Sequence, residues 1–160
     1  MMIQRYLLNF LLFISVIFIQ VYIGMTYSIS PVLNIVLIFL IFTLFYFSPF
    51  YLFFLIFISA AILDSLSGFF WGTNLFLFLI SLGIGILLTR FLEKSRFFPR
   101  LIIGGLVIFT YFLGLLIMNL ILKTPHISFI IFEQFLFTLI FYILLSFLLN
   151  KIQELKTINN

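Results

Sequence analysis

The segment PVLNIVLIFLIFTLFYFSPFYLFFLIFISAAIL, residues 31–63, carries no charged residue, and its reading decides how the chain is threaded. As one straight helix it would run about 50 Å at 1.5 Å per residue, well beyond a hydrocarbon core of about 30 Å. It is barely long enough for two crossings, and its turn signal is Ser48-Pro49. The placement of charge along the chain chooses between one crossing and two. With six spans and a cytoplasmic N-terminus, Arg5, Arg90, Lys94, Arg96, Arg100, Lys151 and Lys156 all fall inside, and only Lys123 lies outside. The positive-inside rule favours that arrangement, whereas five spans would put the basic loop outside. Two short helices meeting at Ser48-Pro49 are therefore expected, tilted little or thinning the bilayer locally.

Outward from this segment, apolar runs cover 6–25, 31–47, 50–63, 69–89, 101–122 and 129–149. Between them lie Thr26 to Pro31, Ser48-Pro49, Asp64 to Gly68, Arg90 to Arg100, and Lys123 to His126, all rich in turn-forming or charged residues. The 160 residues are 66% hydrophobic and 8% charged, against about 45–50% apolar content in soluble domains, so a soluble domain is excluded. Unbroken apolar runs lack the alternation of barrel strands, and lipid-facing backbone must otherwise bond within its own helix. The expected fold is all-α: a polytopic integral membrane bundle of six transmembrane helices, with residues 1–160 forming one transmembrane domain. Met1 to Arg5 reads as the start of an uncleaved first helix. The polar stretch Asn150 to Asn160 is too short for a soluble catalytic or nucleic-acid module. Phe dominates the aromatic residues as a broad compositional bias, and the absence of cysteine removes thiol chemistry and disulfides.

Few residues remain to carry chemistry. Asp64 is the one Asp, Glu, Lys, Arg or His between Arg5 and Arg90. A carboxylate near membrane depth is by default a functional candidate. The neighbouring Ser65, Ser67 and Gly68 open a second reading, in which Asp64 ends one helix and caps the next. Gly68 and Gly72 are spaced as a GxxxG pair, and Ser81 and Gly85 repeat small-xxx-small spacing, which lets helix backbones approach closely. Trp71 sits at the expected membrane boundary. In the basic loop, Arg90 and Glu93 are spaced for an i,i+3 pair if the helix continues. With Lys94, Arg96 and Arg100, that loop serves as a topology determinant attracting anionic membrane lipids, or as a docking site for a cytoplasmic partner. Nucleic-acid binding is not expected from so few basic residues held against a membrane. His126 and Glu133 are too few to form a metal centre. No catalytic residues, cofactor or metal are expected, because no nucleophile–base set or phosphate-cradling loop can be assembled.

The passage Ile62-Leu63-Asp64-Ser65-Leu66-Ser67-Gly68-Phe69-Phe70-Trp71-Gly72-Thr73-Asn74 resembles the Asp-x-x-x-Gly-x-x-x-Gly passage of the MreD family, bacterial rod shape-determining membrane proteins. The length, the position of the passage between spans three and four, and the basic loop after span four are also similar to that family. The Phe-rich composition departs from it where small residues are expected. The resemblance implies a non-enzymatic scaffold of the cell-elongation machinery in the bacterial cytoplasmic (inner) membrane, with both termini in the cytoplasm, acting in cell shape and peptidoglycan synthesis. Its implied partners are an MreC-like bitopic protein, MreB-like actin-homologue filaments, a RodA-like glycosyltransferase and a class B penicillin-binding protein. The family also looks like the six-helix S-components of energy-coupling-factor transporters. By that resemblance only Asp64, Gly68 and Gly72 are carried over, and Ser67 and Asn74 join them as candidate helix or partner contacts.

The competing expectation is an S-component binding a vitamin or metal, in which Asp64, Ser67, Asn74, His126 and Glu133 line an outer pocket. For the scaffold, Gln20, Asn34, Asn74, Asn119, Glu133 and Gln134 supply polar contacts between helices. Either reading requires the six-span threading. A reporter fused at Arg96 is expected to show cytoplasmic activity, and extracytoplasmic activity at that position would overturn the topology.

Overall fold

In lipid a backbone N–H or C=O has no water to bond, so apolar runs of this length fold as helices. The computed structural model describes residues 2–26, 33–67, 71–93, 96–121 and 127–158, and these form six α-helices with no strand among them. They are α1 (Met2–Thr26), α2 (Ile35–Tyr46), α3 (Pro49–Ser67), α4 (Thr73–Phe91), α5 (Phe97–Ile121) and α6 (Ile127–Ile158). Four segments are long and apolar enough to cross a membrane: Ile3–Ile23, Thr73–Phe91, Phe97–Ile121 and Phe129–Ile152. The chain is thus a helical membrane bundle. The apolar helices Ile35–Tyr46 and Pro49–Ser65 are shorter.

The expected junction between α2 and α3 is present. Thr43 O accepts the Phe47 N–H at 3.0 Å and closes α2, and the chain then turns at Ser48. Pro49 opens α3 in the first-turn position where its missing N–H costs nothing. Ser48 Oγ accepts weakly from the Tyr51 N–H at 3.4 Å, as an N-cap does. Tyr6, Phe47 and Tyr51 pack edge-on or tilted around this turn, with ring centroids 4.9 to 5.4 Å apart.

Helix lengths depart from the expected spans in both directions. α2 begins at Ile35 rather than Pro31, and its 12 residues extend about 18 Å. α3 continues four residues past Leu63 to Ser67, so Asp64 lies in its last turn rather than beyond it. α5 starts at Phe97, with Pro99 tolerated in a first turn whose N–H groups have no intrahelical partner anyway. α6 runs on as helix through the polar stretch to Ile158.

Shortness and position go together in α2. It is apolar on all sides, the pattern of a buried helix, and it contacts each of the other five helices. Val36, Leu37, Leu40 and Ile41 are fully enclosed. Around this pillar, α3, α4, α5 and α6 pack in sequence, each against the next, while α1 packs chiefly on α2. Large apolar residues on the outer faces, among them Leu7, Phe18, Phe57, Phe76, Phe109 and Phe137, are exposed and suited to acyl chains. The alternating helix directions gather Arg5, Arg90, Arg96, Arg100 and Lys151 at one end, here called the basic end. Gln20, Asn34, Asp64 and Asn74 lie toward the other.

Without a hydrophobic drive between helices, close approach sets the strength of the α5–α6 and α4–α5 contacts. A Cβ built on Gly85 would come within 2.8 Å of both Leu44 and Val107, as the small-xxx-small spacing predicts. A Cβ on Gly104 would collide with the ring and hydroxyl of Tyr142, a fully buried residue whose hydroxyl donates to the Arg100 carbonyl at 2.7 Å. Gly104→Ala is therefore expected to destabilise the bundle by about 1–3 kcal/mol through overpacking. Gly83→Ala, where a Cβ meets nothing within 4 Å, should be neutral or slightly stabilising. Thermal unfolding in detergent checks the pair, and equal midpoints for both variants would contradict this packing.

Candidate functional site

Asp64 is the most informative polar residue in the bundle. Only 3% exposed, it accepts three hydrogen bonds: the Gly72 N–H on Oδ2 at 2.8 Å, and the Asn74 N–H and Nδ2 on Oδ1, each at 2.9 Å. Gly72 is the N-cap of α4 and has no side chain to satisfy the first amides of that helix. Asp64, eight residues back in the last turn of α3, performs the capping from outside, where an acidic group also complements the helix dipole. These hydrogen bonds realise the capping reading, which does not exclude the other.

Gly72 itself needs correcting. Its φ of +94° lies in the left-handed region, and a Cβ there would meet nothing within 4 Å. Glycine is used here for handedness of the backbone rather than for close approach of a second helix, so Gly72 is not half of a GxxxG packing face. Gly68 lies outside the described residues, and Ser67 ends α3. Trp71, 81% exposed in the same turn, fits a headgroup-level position.

From Asp64 the polar contacts continue inward. Asn74 Oδ1 accepts the Tyr111 hydroxyl of α5 at 2.8 Å, and Tyr111 stacks on Phe78 with centroids 5.0 Å apart. The Asn34 side chain also interacts with the Tyr111 hydroxyl. Asn34 is the N-cap of α2, and its Oδ1 accepts the Leu37 N–H at 2.9 Å. Two further amides at this helix start are bonded by other helices: Ile35 N–H to Gln20 Oε1 of α1 at 2.9 Å, and Asn34 N–H to Thr138 Oγ1 of α6 at 3.1 Å. Thr138 lies about three turns into α6, so α2 starts well inside the bundle rather than at its surface. One polar layer thereby draws on all six helices.

Placement of the candidates follows from this layer. Asp64 and Asn74 are brought together and buried, so they join helices of this chain instead of presenting a surface. Gln20 and Asn34 make the expected interhelix contacts, all within the molecule. Glu133 is exposed on α6, and His126 and Lys123 lie outside the described residues. Tyr111 and Thr138, which complete the layer, had no marker in the sequence beyond being polar atoms in apolar runs.

At the basic end the expected Arg90–Glu93 pair does not form, because α4 stops at Phe91. Glu93 instead pairs with Arg96 at 2.6 Å, both side chains being largely exposed, and such a surface pair contributes little to stability. Arg90 is exposed in the last turn of α4, where a cation complements the helix dipole. Lys94 lies outside the described residues. Arg100 turns inward: its Nη1 donates to the Tyr46 hydroxyl at 2.9 Å, and its guanidinium lies 5.3 Å from the Tyr46 ring centroid. The described basic positions are thus not equivalent: Arg100 bonds Tyr46 of α2, whereas Arg90 and Arg96 are exposed.

The Asp64 cap has a measurable weight. Asp64→Ala leaves the Gly72 and Asn74 amides without their acceptor and is expected to destabilise the bundle by about 3 kcal/mol. Asp64→Asn, which retains one accepting oxygen, should cost about half as much. Denaturant titration of the purified protein in detergent separates the two, and wild-type stability for Asp64→Ala would refute the capping role. Comparison with protein-family models, with characterised proteins and with solved structures finds no match for this chain.

Proposed function

We propose that the chain is a non-enzymatic scaffold of the bacterial cell-elongation machinery, seated in the cytoplasmic membrane with six crossings and both termini in the cytoplasm. In this reading it holds an MreC-like bitopic protein and, through it and the basic end, links MreB-like filaments to a RodA-like glycosyltransferase and a class B penicillin-binding protein. The resemblance of the Asp64 to Asn74 passage to the MreD family supports the assignment. A further support is physical: a bundle whose outer faces are apolar and whose polar groups bond one another is equipped to hold neighbouring membrane proteins by packing.

The observation that carries this reading over an S-component is the use made of Asp64 and Asn74. A substrate pocket needs convergent polar groups directed at a ligand. Here both oxygens of Asp64 and the Asn74 amide are engaged within the α3–α4 turn and with Tyr111. A residue spent on joining helices is suited to fixing the shape of a scaffold.

Depleting the chain from rod-shaped host cells is expected to round them and to disperse the lateral wall synthases, scored by microscopy of labelled synthase. Unchanged shape and growth would overturn the scaffold. A small molecule copurifying at one-to-one stoichiometry would favour the transporter reading instead.

A further inference from the structure

Two of the acidic side chains described so far are bonded, Asp64 in the α3–α4 turn and Glu93 with Arg96. Glu133 differs from both. It is exposed and has no hydrogen bond or ion pair among the described residues. It lies in Phe129–Ile152, one of the segments long and apolar enough to cross a membrane, about 6 Å along the helix from Phe129. Helical spacing gives its direction. Ile131, Thr138 and Tyr142 of α6 are buried against the bundle, and at about 100° per residue Glu133 is turned about 140–180° away from each of them. Leu136, Phe137 and Ile140 are exposed on the same side as Glu133, while α6 packs chiefly on α5 and α2. A carboxyl group at membrane depth ordinarily faces a bundle interior or a water-filled cavity and pairs with another group. Acyl chains provide neither.

We propose that the Glu133 side of α6 is the docking surface for a membrane-spanning helix of a different protein, one that carries Lys or Arg within its first two turns at the end opposite the basic end. This inference goes beyond the scaffold reading and does not require it. Charge selects the partner. A basic side chain delivered by a helix at the same depth gives the carboxylate a counter-charge and hydrogen-bond donors together, and an Arg engages both oxygens at once. Below the carboxylate, Leu136, Phe137 and Ile140 continue for two further turns as an apolar surface against which a helix packs. A second copy does not fit this surface. Inserted the same way, it would set its own Glu133 against the first, and Arg5, Arg90, Arg96, Arg100 and Lys151 gather at the opposite end.

The test reconstitutes the full chain in phosphatidylcholine vesicles with single-span Leu-Ala peptides that carry Arg, Leu or Glu at one position in the second turn, and reads association by energy transfer. The Arg peptide should associate about tenfold more strongly than the Leu peptide, and the Glu peptide no better than the Leu peptide. Glu133→Leu, at an exposed position, should keep the wild-type unfolding midpoint and lose the preference for Arg. Glu133→Lys should transfer the preference to the Glu peptide, and Lys123→Gln should leave the wild-type preference intact. In host cells, a photocrosslinking residue in place of Leu136 should join a different membrane protein that bears Lys or Arg at that depth. Equal association of the Arg and Leu peptides, a preference that survives Glu133→Leu, or an equal loss in Lys123→Gln would each overturn the proposal. So would crosslinks confined to lipid, to a second copy, or to helices with no basic residue at that depth.

Discussion

A helix that begins inside a membrane bundle exposes amide hydrogens that no lipid can bond, and the architecture follows from that obligation. α2 is such a helix. Its first amides are taken by its own Asn34, by Gln20 of α1 and by Thr138 of α6, three side chains from three helices. The same layer passes through Tyr111 to Asn74 and Asp64, where it meets the second helix start in need of partners, that of α4. Non-helical backbone at membrane depth is tolerated where protein surrounds it, and α2 is surrounded on every side. Its short length and its central place are therefore two aspects of one solution.

The two ends of the bundle obey different physics. Toward the polar layer, the Asp64 carboxyl group and the amides and hydroxyls of Gln20, Asn34 and Thr138 satisfy helix starts, buried or half-buried among the helices. At the basic end, aromatic rings dominate: Tyr6, Phe47 and Tyr51 around the α2–α3 turn, Phe97 against Phe147, and Tyr142 reaching the Arg100 carbonyl. Aromatic rings with polar tips suit an interface where one side is hydrocarbon and the other is wet. Gly104 makes room for Tyr142 at this end, so a residue that looks like compositional filler in the sequence fixes the spacing of α5 and α6.

Much of this was legible in the chain before folding. Helix number followed from breakers that need no tertiary knowledge: Ser48-Pro49 turns because proline cannot continue a helix, and Arg90 to Arg100 is too polar for lipid. The capping role of Asp64 was readable as one of two alternatives, because a short acidic side chain beside serines and glycine has few other local uses. What stayed hidden was set by packing. The late start of α2 at Ile35 has a single marker, the capping residue Asn34, and one polar residue in an apolar run does not by itself separate a helix cap from an interhelix contact. Tyr111 and Tyr142 were masked by a composition in which aromatics are everywhere. At Gly72, spacing alone does not distinguish a helix face from a turn.

The turn at Gly72 has one more implication. Its backbone demands a left-handed torsion while the space beside it is open, so the position selects for stereochemistry and is indifferent to bulk. A mirror-image residue such as D-alanine, installed by chemical ligation, would satisfy that demand as well as glycine does. It would also narrow the unfolded chain's freedom at that bond pair, making the start of α4 better defined than nature's achiral choice allows.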